Sequence, residues 1–231
     1  MRVPTLVLLS LLTSLISFAQ PAASHLQNAD EFEKNIKAGK TLILDVRTDK
    51  EFRSGHISQA MQANWNDSAQ FRERIKYIDP QQPVYVYCLV GGRSAAAATW
   101  MRNHGFSQVI ELEGGINAWK KAGKPLEGFQ DEKQLSLEEY RSMIPKTGTV
   151  LVDIGADWCP PCRKMQPVTD ALRKDPSLHF SMINIDAGTQ TELIKALNIG
   201  PIPVFIIYKN GKETWRKEGI VSQEEFKKQL R

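Results

Sequence analysis

The sequence predicts an α/β protein of two domains, and three observations predict it. Apolar, β-branched or aromatic runs alternate with segments of helical character along the chain, the pattern of a mostly parallel, buried sheet. That alternation lapses around residues 123–134, "GKPLEGFQDEKQ", into Gly, Pro and charge. A chain of 231 residues is also long enough for two hydrophobic cores without covalent staples. The expected division is a signal peptide over 1–19, a first domain over 24–127, a linker over 128–135 and a second domain over 136–231.

The N-terminus reads as an export signal. Arg2 supplies the positive start, residues 6–18 form an apolar run, and Ser17 and Ala19 sit at small-residue positions suited to cleavage before Gln20. That run is shorter than the about 20 apolar residues of a membrane span. No later stretch is long enough, so no stable membrane insertion is expected after cleavage. The expected location is outside the cytoplasm: the periplasm, with the extracellular space as the alternative.

Three strands are expected in the first domain, "TLILDVR" (41–47), "VYVYC" (84–88) and "QVIELEG" (108–114). Asn28 with Glu31 caps a helix carrying Phe32 and Ile36 on one face. Ser94 opens a helix that stops at Gly105, and "INAWKKA" is a helix that stops at Gly123. In the second domain Ser136 and Glu139 form a capping box, and strands follow at 149–156 and 180–186. Thr189 with Glu192 caps the next helix, "VFIIYKNGKETWRKEG" follows, and Ser222 with Glu225 caps the last.

Composition narrows the chemistry. A formal charge of +4 with Lys and Arg interspersed among acids describes a solvated exterior and no nucleic-acid surface. Three cysteines cannot all pair within one chain, so in an oxidising compartment a reactive role is expected for at least one. No cofactor and no metal are expected. Cys159 and Cys162 would be half a zinc site, but their domain holds no other cysteine and only His179.

"DWCPPCRKMQP" (157–167) follows a buried-looking strand and opens a helix. The free N–H groups of a helix start favour thiolate over thiol. Cys159, at the very end, is expected to be the exposed nucleophile, and Cys162, one turn in, the shielded resolving thiol. Pro160 and Pro161 remove two N–H donors and stiffen the turn. A purely structural disulfide is a poor reading, because so small a loop restrains little of the unfolded chain.

Cys88 ends a strand, and four residues separate it from Arg93. The backbone N–H groups of Leu89, Val90, Gly91, Gly92, Arg93 and Ser94 are expected to curl around the sulfur. Gly91 and Gly92 permit the close approach, and Arg93 adds positive charge. The rival readings are a small buried filler cysteine and a cysteine phosphatase. Phosphatase loops carry one more residue between Cys and Arg, commonly with His before the Cys, where this chain has Tyr87. The shorter loop suits a single extra sulfur atom.

Two resemblances follow from these motifs. "LILDVRTDKEFRSGHISQAMQANW", "VYVYCLVGGRSAAAATWMRNHGFSQVIELEGGINAWKKAGKPL" and the four-residue loop resemble a rhodanese domain over about 26–127. The resemblance implies a parallel-sheet α/β domain in which Cys88 carries sulfur as a persulfide held by the loop N–H groups and Arg93. His56 and Trp119 are structural by the same resemblance, and Glu51 is expected to pair with Arg47 or another base.

"VDIGADWCPPCRKMQP", "NIDAG" and "GPIPVFIIYKNGK" resemble a thioredoxin-family domain over about 135–231, with a mixed central sheet. That implies a redox-active Cys159–Cys162 disulfide, a cis bond before Pro203, a helix bend at Pro167, and Asp153 as a buried acid assisting proton transfer at Cys162. Trp158 shapes the contact surface. One departure is "IGAD" before Trp158, where an aromatic is common and Gly155 leaves the flank small.

The expected function is an exported sulfurtransferase and thiol–disulfide oxidoreductase. Its partners are a sulfane-sulfur donor such as thiosulfate or a persulfide, thiol or disulfide client proteins, and an external electron donor for the dithiol. The alternatives are an independent oxidoreductase for exported proteins beside a separately acting rhodanese domain, and a rhodanese fold that serves only as a binding module.

Overall fold

A computed structural model describes residues 25–39, 41–128 and 133–231. The signal-peptide expectation and part of the linker fall outside the described residues.

Chain order in the first domain is β1 (Leu26–Gln27), α1 (Ala29–Ala38), β2 (Leu42–Asp45), α2 (Asp49–Arg53), β3 (Met61–Gln62), α3 (Ser68–Ile75), β4 (Val84–Tyr87), α4 (Gly92–Asn103), β5 (Val109–Leu112) and α5 (Gly115–Lys121). The strands form one parallel sheet in the order β1-β5-β4-β2-β3. Successive strand residues face opposite sides, and the burial follows. Tyr85, Tyr87, Ile43 and Ile110 pack with Phe32 and Trp119 on one face. Val84, Val86, Cys88, Leu42 and Leu44 pack with Phe71, Ala97 and Met101 on the other.

The second domain runs α6 (Leu137–Met143), β6 (Thr149–Gly155), α7 (Pro160–Lys174), β7 (Ser181–Asp186), α8 (Thr191–Ala196), β8 (Val204–Lys209), β9 (Lys212–Glu218) and α9 (Gln223–Leu230). Its sheet order is β7-β6-β8-β9, with β6–β7 parallel and the β6–β8 and β8–β9 pairs antiparallel. Val150, Val152, Ile154 and Ile206 face one core and Leu151, Phe205 and Ile207 the other. Both domains are thus α/β, one with a parallel and one with a mixed sheet.

Local signals set most helix starts. The Asn28 side chain accepts from the Asp30 and Glu31 N–H groups, Ser136 and Glu139 form a reciprocal capping box, and Ser222 accepts from the Glu225 N–H. Two boundaries differ from expectation. Helix α4 begins at Gly92, two residues before Ser94, because Gly91 at φ 109° turns the chain directly into it. Helix α8 is preceded by Gln190 without a side-chain cap. Thr189 instead points back to the Asp186 carbonyl, at 3.5 Å.

The two domains share a buried cluster. Ala156, Trp158, Cys159 and Cys162 pack in the same core as Phe52, Ile57, Ala60 and Tyr87. The Gln62 N–H donates to the Trp158 carbonyl at 2.9 Å, and the Arg53 guanidinium donates to the Gly188 and Ala187 carbonyls. The rings of Phe52 and Trp158 lie 5.9 Å apart, and Arg74 sits 5.0 Å over the Trp158 ring.

Candidate functional site

The first centre lies at the C-terminal end of β4. Cys88 is 1% exposed. The Gly91 N–H donates to its Sγ at 3.1 Å, and the Ser94 hydroxyl lies 3.5 Å from Sγ and 2.9 Å from the Gly91 carbonyl. Burial is the largest influence on the thiol and raises its pKa. Hydrogen bonds from the Ser94 hydroxyl and from the Ser94, Gly91 and Val90 backbone together outweigh it, so the pKa falls below the ordinary thiol value.

The rest of the loop does other work. The Leu89 carbonyl accepts from the Asn117 N–H at 3.2 Å and the Cys88 carbonyl from Ile116 at 2.8 Å, so the start of α5 holds the loop from behind. This close approach depends on Gly115. At φ 61°, a Cβ there would lie 2.6 Å from the Cys88 carbonyl oxygen. Leu89 and Val90 form an exposed apolar rim, and Gly92 starts α4.

Arg93 does not point its charge at the sulfur alone. Its guanidinium makes two bonds to the Glu51 carboxylate, at 2.8 and 2.5 Å. The Arg93 bond, with the Thr48 cap, holds the Glu51 pKa down to about 2. Arg47 is committed elsewhere: it pairs with Asp45 at 2.5 Å, fully buried, and donates to the Gly55 carbonyl. Of the two partners expected for Glu51, the structure selects another base, Arg93. His56 stacks on Phe52 at 3.9 Å, and the Trp119 indole donates to the Pro125 carbonyl.

The second centre lies at the start of α7. Cys159 is the N-cap, Pro160 and Pro161 are the first two helical residues, and Pro167 lies inside the helix. Cys159 and Cys162 are joined as a disulfide with Cα atoms 5.2 Å apart. The Ile202–Pro203 bond is cis, and the Ile202 carbonyl oxygen lies 3.6 Å from Cys159 Sγ. Asp153 sits behind Cys162. Burial, opposed by Arg173, raises its pKa from 3.8 to about 6.

Cys159 is not the exposed sulfur that was expected: both cysteines are buried, Cys159 at 0% and Cys162 at 8%, and Cys159 packs in one apolar cluster with Phe52, Ile57 and Tyr87 of the first domain. Trp158, expected at a client-facing surface, is packed against Phe52 and Arg74. Nor does the fold set Cys88 against the dithiol. Cys88 packs on one face of the parallel sheet, and Cys159 packs in the cluster on the other.

Sequence reasoning missed Gly115 and the covering residues Phe52, Arg53, Gln62 and Arg74. Gly115 had a signal, the paired glycines before "INAW". The covering residues had none, because their role exists only once the domains meet.

Two family models match successive parts of the chain. Residues 28–122 match the rhodanese-like domain and residues 131–231 match thioredoxin. The chain is 33% identical over 85 residues to the thiosulfate sulfurtransferase GlpE of Vibrio cholerae serotype O1, covering 37% of this chain and 77% of that protein. It is 34% identical over 93 residues to a thioredoxin of Chlamydia pneumoniae, covering 40% and 88%. A rhodanese-related protein from Thermoplasma volcanium, solved by crystallography, is 32% identical with a TM-score of 0.40, covering 44% of this chain and 95% of its own. The chain belongs to the rhodanese-like family through its first domain and to the thioredoxin family through its second.

Proposed function

We propose that this protein is a sulfurtransferase and thiol–disulfide oxidoreductase in which Cys88 carries sulfane sulfur as a persulfide and the Cys159/Cys162 dithiol reduces a persulfide or a protein disulfide. The family memberships support the two activities at the coarse level. The single observation that carries the finer reading is the Cys88 sulfur held by Gly91 N–H and Ser94 hydroxyl, with a lowered pKa despite burial.

With thiosulfate as donor, the Cys88 thiolate attacks the outer sulfur, the S–S bond of thiosulfate breaks, and sulfite leaves with the electron pair. The persulfide anion stays beside the loop donors and Arg93. For reduction, the Cys159 thiolate takes the outer sulfur and frees Cys88. Cys162 then attacks Cys159 Sγ, closing the disulfide and expelling hydrosulfide. An external two-electron donor restores the dithiol. Because Cys88 and Cys159 pack on opposite sheet faces, this hand-over requires the domains to separate. We place the protein outside the cytoplasm on its N-terminal sequence.

The opposite-face placement favours a second reading, in which the two centres serve separate partners. Single-turnover sulfide release from thiosulfate by the reduced protein, without added thiol, decides between them. The coupled route predicts that Cys159→Ser abolishes release; unchanged release leaves the centres independent. Mass spectrometry after thiosulfate treatment tests persulfide carriage itself, by the added mass of one sulfur on the Cys88 peptide.

A further inference from the structure

The rim of the Cys88 loop differs in character from its floor. Backbone and hydroxyl donors of Val90, Gly91 and Ser94 are directed at the sulfur, and helix α4 starts behind them at Gly92. Together they answer one negative charge, that of the thiolate or of the persulfide that replaces it. The rim side chains are apolar: Leu89 is 37% and Val90 61% exposed. Neighbouring large apolar side chains left in water at the mouth of a reactive sulfur mark a contact surface. Because Cys88 itself is buried, a donor presents one sulfur atom to it, and the rest of the donor stays at this rim.

The cations beside the loop are already paired. The Arg93 guanidinium donates twice to Glu51, and that pairing is the largest influence on its pKa, ahead of the charge on Cys88. Arg47, 5.7 Å over the ring of Tyr87, is closed by Asp45. Each guanidinium is offset by a carboxylate, so the two pairs add no net charge. Donors differ in what they bring to the rim. Thiosulfate leaves sulfite, whose two negative charges would be held beside Leu89 and Val90, where apolar side chains offer no compensating bond. An organic thiosulfonate or persulfide leaves a group with a single charge, and its apolar substituent covers the two side chains.

We propose that Cys88 takes its sulfur from small organic donors, thiosulfonates or persulfides with an apolar substituent, in preference to thiosulfate, and that Leu89 and Val90 set this preference. It rests on Cys88 carrying sulfane sulfur, as proposed above, and names the donor class. With a thiosulfonate, the Cys88 thiolate attacks the terminal sulfur, the donor's S–S bond breaks, and the sulfinate leaves with the electron pair. With a protonated persulfide, the terminal sulfur moves to Cys88 with its proton, and the organic thiolate leaves with the electron pair and is then protonated by water. In both cases the leaving group departs past Leu89 and Val90, and no outside oxidant or reductant is consumed.

The test uses the full chain with Cys159 and Cys162 joined, which leaves Cys88 as the free thiol. Thiosulfate and benzenethiosulfonate are matched probes, the second carrying a phenyl ring in place of one charged oxygen. The rate of sulfur addition to the Cys88 peptide is followed by mass spectrometry. Each rate is divided by that of the same donor with 2-mercaptoethanol, which removes the intrinsic reactivity of the donor. The normalised rate for benzenethiosulfonate is expected to exceed that for thiosulfate at least about tenfold. Val90→Lys puts a cation on an exposed position of the rim. It is expected to speed thiosulfate and slow benzenethiosulfonate, shrinking their ratio at least about fivefold; a general disturbance of the loop would move both rates the same way. Normalised wild-type rates that are equal or favour thiosulfate overturn the proposal, as does a Val90→Lys variant in which both rates change by one factor. The wild-type comparison stands if Val90→Lys does not fold. If neither donor adds sulfur to a Cys88 that iodoacetamide still alkylates, the persulfide reading falls, and this preference with it.

Discussion

At the scale of single residues, the proposed chemistry rests on two ionisable groups, Cys88 and Asp153, and burial pushes both toward their neutral forms. At Cys88 burial is outweighed by donors aimed at the sulfur. Ser94→Ala removes one, and iodoacetamide alkylation of Cys88 against pH should shift its midpoint upward. The rate at neutral pH should fall about fivefold, the worth of one hydrogen bond of about 1 kcal/mol. Glu51 does not shape this profile. Its folded pKa of about 2 lies below the ordinary carboxylate value of 4.5, so its pairing with Arg93 is present above 4.5 and lost only as pH falls toward 2. Asp153 has the opposite sign. Its folded pKa of about 6 lies above 3.8, so its contribution to stability is full below 3.8 and lost as pH rises through 6. Asp153→Asn should therefore stabilise the chain by on the order of 2 kcal/mol at pH 8. Chemical denaturation should find no such gain at pH 4.

At the scale of elements, the Cys88 loop is a product of three of them. Strand β4 delivers the cysteine, α4 supplies the Ser94 donors, and α5 fixes the loop through Ile116 and Asn117. Gly115→Ala forces a Cβ against the Cys88 and Leu89 backbone at a positive φ. Strain of this kind costs about 1–3 kcal/mol, and the loop gives way first. Thiosulfate–cyanide sulfurtransferase activity should fall at least about tenfold, while disulfide reduction by the second domain is retained. The sequence shows most elements at this scale, because apolar runs such as 149–155 have enough residues to display a period. Strands β1 and β3 are two residues each, too short for any alternation to register, and neither was expected. Both edges of the first sheet, and with β3 the domain contact through Gln62, lie there.

At the scale of the whole molecule, the first domain acts as a cover on the second. The contact joins backbone, cation–ring and aromatic interactions around Trp158. The double substitution Arg53→Ala/Arg74→Ala should loosen it without touching either cysteine centre. Small-angle scattering should show a larger radius of gyration than wild type, and acrylamide should quench Trp158 more strongly. Equal values for both proteins would mean that the shared apolar cluster alone holds the domains together.

Both fold families, the three cysteines and their grouping, the four-residue spacing from Cys88 to Arg93 and the small residue at 155 are legible in the sequence alone. Those features are local: a strand end, a turn, a helix start and a run of alternating side chains are each written within a few neighbouring positions. It took the packed molecule to show that Glu51 takes Arg93 rather than Arg47, that both cysteines of the dithiol are buried with Cys162 bordering a cleft, and that Cys88 and Cys159 pack in the clusters on opposite faces of the first sheet. Each depends on segments far apart in the chain meeting in space. Which cysteine borders a cleft follows from how distant elements pack around the pair, and no local pattern around "WCPPC" encodes that.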